Sequence, residues 1–434
     1  MSRAKNIRIA VNIAFFAALG SSAQAELPTF VAQSTPIVDL RARYEEVDDK
    51  SKTRLGQAGT FRARLGFETG RWNNLQLAVD FDQIWRLGGS TFNSTRNGAT
   101  PYPIIADPAM TALNRLQLTY FSDYDTKITV GRQRILIGNQ RFVGNSGWRQ
   151  HEQTFDSVSA VNTSLKDLTV TYAYLYRVNR IGGPDQPVPS TSVAAAVGQA
   201  NYLKSNSHIF DAAYTGFGGV RLESYAFLLD LAAPAYAQST LQNVAASKLS
   251  TATYGARADY SGKIGNLSVK LSGEYARQID YAENPLSFSL DYWLGEASVT
   301  YAGLTALAGY ENLGGNGIIG FSTPLATLHA FNGWADLFLT TPADGLRDAN
   351  FNASYVLPFE SVALKSIKGT AVYHSFTTDK FDQGIGSEWD IQAELTFVSN
   401  TSFLLKYASY QGSNTAFGDF PDKSIFWLQA AYKA

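Results

Sequence analysis

Stretches in which apolar and charged side chains strictly alternate recur along this chain, and they constrain its fold more than any other feature. In residues 38–45, Leu40, Ala42 and Tyr44 share one face, and Asp39, Arg41, Arg43 and Glu45 the other. Residues 60–68 set Phe61, Ala63, Leu65 and Phe67 against Arg62, Arg64 and Glu68. Residues 75–82 set Leu75, Leu77, Val79 and Phe81 against Gln76, Asp80 and Asp82. A period of two puts successive side chains on opposite faces of a sheet, so each segment predicts a strand with one apolar and one polar face. A soluble sandwich would turn the apolar face inward. A membrane barrel would turn it to lipid and line its lumen with the charged face.

The number and spacing of the segments favour the barrel. Eighteen strands are predicted, near 37–46, 58–68, 74–84, 113–121, 126–134, 153–162, 167–178, 207–215, 221–231, 251–260, 266–277, 289–301, 303–312, 346–356, 364–376, 387–397, 401–411 and 424–433. Most are roughly ten residues long, the length a tilted strand needs to cross a bilayer. Tyrosines and tryptophans gather towards the strand ends, as in Tyr172, Tyr174 and Tyr176 or Tyr292, Trp293 and Tyr301, in the manner of interfacial girdles. Connections alternate between short turns, such as 122–125, 162–167 and 301–303, and long loops, such as 85–112, 135–152, 179–206 and 313–345. Short periplasmic turns and long extracellular loops produce that alternation; a sandwich has no reason to place every long loop at one end. Residues 327–339 also read as strand-like, but a nineteenth strand would leave the termini on opposite sides. They are therefore expected within a long, inward-folded loop. The predicted fold is all-β: an 18-stranded antiparallel transmembrane β-barrel.

The N-terminus agrees with an exported protein. Arg3, Lys5 and Arg8 precede an apolar core, Ile9 to Leu19, and then the small-x-small pattern Ala23-Gln-Ala25. This reads as a secretory signal peptide over 1–25, followed by one barrel domain over 26–434. Without those three, the 36 basic residues fall to 33 against 37 acidic ones, a net charge of −4, which excludes a nucleic-acid binder driven by bulk positive charge. There are no cysteines, hence no disulfide scaffold and no thiolate chemistry.

Residues 131–157, GRQRILIGNQRFVGNSGWRQHEQTFDS, hold Arg132, Arg134, Arg141 and Arg149 among glycines and amides. Upstream strands add Arg41, Arg43, Arg62 and Arg64 to the polar face, so the lumen is expected to be lopsided, with a cationic side built by the first strands. Arginine binds carboxylates and phosphates bidentately and stays charged, and rings of Arg or Lys build anion pores. The same residues also fit a bracing role in Arg–carboxylate ladders. Register poses a question at this point. Ile128 and Val130 face lipid, and plain alternation would put Arg132 and Arg134 on that face, at a cost of about 2–4 kcal/mol each at mid-membrane. Either a bulge at Gly131 turns the strand, or the chain has left the hydrocarbon by then; both bring Arg132 and Arg134 towards the lumen or its mouth. Four histidines lack metal-ligand spacing and no GxSxG motif stands out, so neither an enzyme nor a cofactor is expected.

The same stretch resembles the signature region of the alginate export family of outer-membrane porins. So do RARLGFETG (62–70), ADPAMTALNRLQLTY (106–120), TYAYLYRVNRIGG (171–183) and SEWDIQAELTF (387–397). The resemblance implies an eighteen-stranded, monomeric barrel with an arginine-rich conduit shaped by inward-folded loops. Arg132, Arg134, Arg141 and Arg149 would line it, with Arg41, Arg43, Arg62 and Arg64 secondary. The expected partners are outer-membrane lipid, the barrel assembly machinery and an anionic polysaccharide, oligosaccharide or related organic anion. A departure is the C-terminus, where Tyr432 stands two residues before Ala434 rather than at the end. The alternative is a barrel with a closed lumen whose loops engage a partner.

Overall fold

The computed structural model describes residues 28–184, 201–232, 248–359, 361–415 and 418–434. The expected signal peptide lies outside the described residues. Eighteen long strands form the wall: β1 (Thr35–Asp49), β2 (Gly56–Glu68), β3 (Leu75–Thr91), β4 (Met110–Phe121), β5 (Thr126–Gln133), β6 (Thr154–Asn162), β7 (Leu168–Asn179), β8 (Tyr202–Phe217), β9 (Val220–Leu229), β10 (Thr251–Ile264), β11 (Leu267–Asp280), β12 (Ser289–Tyr301), β13 (Leu304–Leu313), β14 (Leu346–Pro358), β15 (Leu364–Thr377), β16 (Gly384–Phe397), β17 (Thr401–Gly412) and β18 (Lys423–Lys433). Each pairs antiparallel with its sequence neighbours, and β1 closes the ring on β18, from Asp39 opposite Lys433 to Asp49 opposite Lys423. Closure leaves no open sheet edge, which is what lets a sheet sit in lipid.

The alternation resolves in the direction a membrane demands. Asp80 and Asp82 are wholly buried, while Phe81 between them is 50 % exposed. Glu388 and Asp390 are likewise buried, and Trp389 between them is 55 % exposed. Charged faces thus point into the barrel and apolar faces out, the reverse of a soluble sandwich. No helix among the described residues is long and apolar enough to cross a membrane.

The connections at the end that holds the described termini are all short, two to six residues. Three have two residues, 218–219, 265–266 and 302–303; in the last, Ala302 and Gly303 take φ of 48° and 86°, the positive values that a type I′ hairpin loop requires. The long connections all lie at the other end, together with the six-residue links 50–55 and 378–383. Every predicted strand is present, several run a few residues longer, and two are extended by seven. β3 continues to Thr91 because Trp85 and Leu87 keep up the outward apolar face. β8 starts at Tyr202 because an extra residue between Lys204 and Ser207, opposite Arg177 and Leu175 of β7, breaks the alternation of its first residues. Residues 327–339 form no strand. They carry one 3-10 turn, Leu328–Ala330, inside the inward-folded connection 314–345.

The hydrophobic core is consequently inside the barrel. Phe142 and Val143 of connection 134–153 and Phe321, Leu325 and Phe338 of 314–345 pack on Tyr225, Phe227, Tyr292, Phe376, Tyr410 and Trp427 of the wall.

Candidate functional site

Two inward connections divide the lumen, and they are joined to each other. Val143 pairs with Leu325 in a parallel bridge. Gly144 N donates to Leu325 O at 2.9 Å, and Thr327 N to Gln140 O at 3.1 Å. A Cβ at Gly144 would collide with the Thr327 hydroxyl and Gln140, so only glycine permits this approach.

The arginines of β1 and β2 hold the first connection by its backbone. Arg41 Nη1 donates to the carbonyls of Gly147, Trp148 and Arg149 at 3.1, 2.9 and 3.2 Å. Arg43 donates to Trp148 O and Gln429 Oε1, both at 2.7 Å. Arg62 pairs with Asp39 and donates to Gln150 O at 3.2 Å. Arg64 binds Asp82 in a two-pronged pair of 2.7 and 2.9 Å and meets Glu152 at 2.7 Å. Burial would raise the Glu152 pKa, but Arg64 and Arg134 outweigh it and hold it at about 2.

Other arginines reach outwards from the connection. Arg141 crosses to Glu311 of β13 at 2.6 Å and to Asn332 Oδ1 at 3.0 Å. β5 and β13 stand eight strands apart in a ring of eighteen, so the connection spans the lumen. Arg149 meets Glu45 at 3.1 Å and Asp336 at 3.0 Å. Burial disfavours its charge, but Glu45, Asp107 and Asp336 outweigh that and raise its pKa above the usual arginine value.

At the junction lies Trp148. It stacks on His329, centroids 4.4 Å apart, and carries Arg43 at 4.0 Å and Lys406 Nζ at 4.2 Å over its ring. Trp334 and Trp427 complete an aromatic cage around Lys406, at 3.8 and 5.2 Å. Lys406 Nζ donates to His329 Nε2 at 2.7 Å, which leaves His329 Nδ1 to donate to Asp336 at 2.8 Å. Burial lowers the His329 pKa to about 3, with the ammonium reinforcing it against the pull of Asp336. The second connection docks on β16: Ala335 N donates to Glu388 at 2.6 Å and Trp334 N to Asp390 at 3.1 Å. Gly333, at φ 86°, lets that backbone approach.

Below the first connection, on the turn side, lies an open cavity of about 880 Å³ against the wall from β4 to β10. Arg115, Lys127, Arg134, Arg221 and Arg257 line it, against two carboxylates, Asp211 and Asp259. Gln117, Gln133, Thr129, Thr169 and Thr171 add donors and hydroxyls, and Ile135, Leu136 and Ile137 form an apolar roof. Lys127 is exposed to the cavity with no partner among the described residues. A positively biased, hydroxyl-bearing wall under an apolar roof suits an anion with an apolar body. Among the described residues no cluster of three or more His, Asp or Glu is placed to hold a metal ion.

Of the eight arginines expected in the pore, Arg41, Arg43, Arg62, Arg64, Arg141 and Arg149 come together around the inward connections, each engaged by protein groups. Arg134 alone of the eight lines the open cavity, tied to Glu152 at 2.7 Å. Arg132 departs from the lumenal placement expected. The β5–β6 register runs unbroken from Val130 opposite Val158 to Arg132 opposite Asp156, although Gly131 has φ 113°. Val130 and Val158 are exposed on the outer wall, so Arg132 is on the outer face too, one residue before the strand ends. The strand leaves the wall there rather than bulging inward. Lys127 was legible by the same alternation, since it shares the face opposite Ile128 and Val130, but one lysine beside four arginines drew no weight.

No family model matches the chain, and no curated relative does. Solved structures do. The outer membrane protein opdK from Pseudomonas aeruginosa aligns over 93 % of this chain and 99 % of its own, at 15 % identity and a TM-score of 0.64. OpdK of the same organism with vanillate gives the same coverage and identity and a TM-score of 0.67. OccAB2 of Acinetobacter baumannii aligns over 94 % and 100 %, at 13 % identity and a TM-score of 0.69. Likeness at such identities is one of fold: a closed eighteen-strand antiparallel barrel built like those of these proteins.

Proposed function

We propose that this protein is a passive channel of the Gram-negative outer membrane for small organic anions, carboxylates foremost. It would reach the membrane through a cleaved signal peptide and the barrel assembly machinery, and act as a monomer with its short turns in the periplasm. The observation that carries the reading is the cavity, where the unpartnered Lys127 stands beneath the Ile135–Ile137 roof beside Arg115, Arg134, Arg221 and Arg257, which are paired with Asp80, Glu152, Glu223 and Asp259. The structure of OpdK with vanillate, an aromatic carboxylate, supports the same solute chemistry. The resemblance to alginate exporters keeps acidic oligosaccharides as the finer alternative. Polyuronates are hydroxyl-rich and charged at every unit, and the apolar roof favours the smaller anion over them.

The test is reconstitution in planar bilayers under a salt gradient, followed by liposome uptake of an aromatic monocarboxylate and an oligouronate. Anion preference with faster monocarboxylate uptake is expected. Cation selectivity overturns the reading, and faster oligouronate uptake restores the polysaccharide alternative. A second reading rests on the hydrophobic core that the two connections build across the barrel. It holds that the lumen is closed and the loops engage a partner. Absence of both conductance and uptake, with glycan or protein binding at the loops, would favour it.

A further inference from the structure

Arg132, left outside the lumen, belongs to a row of charges on the outer wall. Cross-strand register places Arg132 opposite Asp156, Asp156 opposite Arg177, and Arg177 opposite Lys204. Four neighbouring strands thus carry + − + + in one line, about 14 Å long at the usual strand spacing. The line lies on the loop side of an outward row through Val130, Val158, Tyr174 and His208. Just there the apolar wall gives way to aromatic and polar groups.

The charges in this row do not cancel. Asp156 is already occupied: Arg132 holds it with two bonds, 2.7 and 3.0 Å, and Asn179 donates to it at 2.9 Å. Arg177 lies only 3.9 Å from it at closest and makes no hydrogen bond among the described residues; its Nε is buried without a partner. Its guanidinium carbon lies over the Tyr202 ring, 3.8 Å from the centroid, which reduces the ordering that binding would cost. Lys204 is exposed and has no partner among the described residues. Arg177 thus shares, at 3.9 Å, a carboxylate that Arg132 already binds twice, and Lys204 has no anion among the described residues, beside a surface continuous with the apolar outer wall.

We propose that this row is a binding site for a phosphate-bearing lipid of the outer leaflet, with Arg177 and Lys204 on the phosphate and the acyl chains lying along the wall below. A phosphate offers the acceptor oxygens that an arginine fork and an ammonium share, and basic clusters at a membrane interface select such headgroups. A free phosphate ion would gain nothing from the adjoining apolar wall. The inference rests on the outer-membrane placement above, but not on conduction.

The test uses the detergent-purified full chain, titrated with diphosphorylated lipid A and with its enzymatically dephosphorylated form, and read by native mass spectrometry. At about 1 kcal/mol per interfacial cation, Arg177→Gln with Lys204→Gln should weaken the phosphorylated lipid about 30-fold. The dephosphorylated form should bind wild type and variant equally weakly. Undiminished binding by the variant, equal binding of both lipids by wild type, or no binding overturns the proposal. The variant residues lie outside the lumen, so heat-modifiability on gels and single-channel conductance should stay at wild-type values and certify the fold. A wild-type protein that binds the lipid yet does not conduct would count against the channel reading alone.

Discussion

At the loop end of the lumen, Arg62, Arg64, Arg141 and Arg149 each meet a carboxylate at hydrogen-bond distance; at the turn end, Lys127 meets none. Arg115, Arg134, Arg221 and Arg257 of the turn end are paired as well, so Lys127 is what sets that end apart in the charge it keeps available. A guanidinium whose charge is balanced by Asp82 and Glu152, and which is buried between them, offers a solute little net field, and it acts as a strut. A lone ammonium on an open wall keeps its field. Polar-face arginines in a barrel therefore divide by the partners they find, and their number alone does not measure the anion affinity of a lumen.

The sharpest way to break the contrast is to remove the strut junction. Trp148→Ala strips a stacked histidine and two cations of their ring and should cost about 3–5 kcal/mol of packing. Connections 134–153 and 314–345 should then detach, seen as new proteolytic sites in both and a higher single-channel conductance. Unchanged conductance with intact protection would deny Trp148 this role. Arg64→Met tests the struts themselves. It leaves Asp82 and Glu152 buried without their shared cation, a loss of about 3–5 kcal/mol. A lower midpoint of urea-induced unfolding in detergent should report it, and a midpoint equal to wild type would show the pair to be idle.

The fold was legible because the membrane imposes it residue by residue. Each pair such as Asp80/Phe81 or Trp389/Asp390 carries its own assignment to lumen or lipid, so eighteen strands and their order follow from local pattern. The lumen's interior was not legible in that way. Arg141 meets Glu311 and Arg149 meets Asp336 across well over a hundred residues, and no periodicity links such groups. The arginines of 131–157 announced a cationic stretch but not their partners. At Arg132 the glycine before it suggested a break, whereas unbroken alternation was the better guide. The cavity's Lys127 follows the same rule, on the face opposite Ile128 and Val130.

Acid should weaken the loop end while sparing the turn end. His329 is neutral in the folded protein, its pKa lowered from 6.5 to about 3 by burial, and it faces Asp336, Lys406, Trp148 and Trp427. A group with a depressed histidine pKa binds fewer protons folded than unfolded, so its contribution is lost as pH falls from 6.5 towards 3 and is constant above 6.5. By pH 5 the loss should reach about 1–2 kcal/mol. Glu152, held at about 2, adds a further loss only below its ordinary value of 4.5. Proteolysis of connection 314–345 should thus accelerate between pH 6.5 and 5 in wild type and not in His329→Gln. An equal pH response in the variant would assign the effect elsewhere.

The smallest effect tests the turn end directly. Lys127 has no partner, so Lys127→Gln leaves no charge stranded and should change stability by no more than about 0.5 kcal/mol. Its field acts through a water-filled lumen, where a unit charge at contact range is worth about 1 kcal/mol. Losing it should therefore reduce the anion-to-cation permeability ratio by up to about fivefold, read as a shift in reversal potential. Arg64→Met should move the same ratio less while unfolding far more readily, because its charge is already spent on Asp82 and Glu152. If Arg64→Met proved the stronger determinant of selectivity and Lys127→Gln the stronger determinant of stability, the division of the lumen into struts and free charges would be wrong.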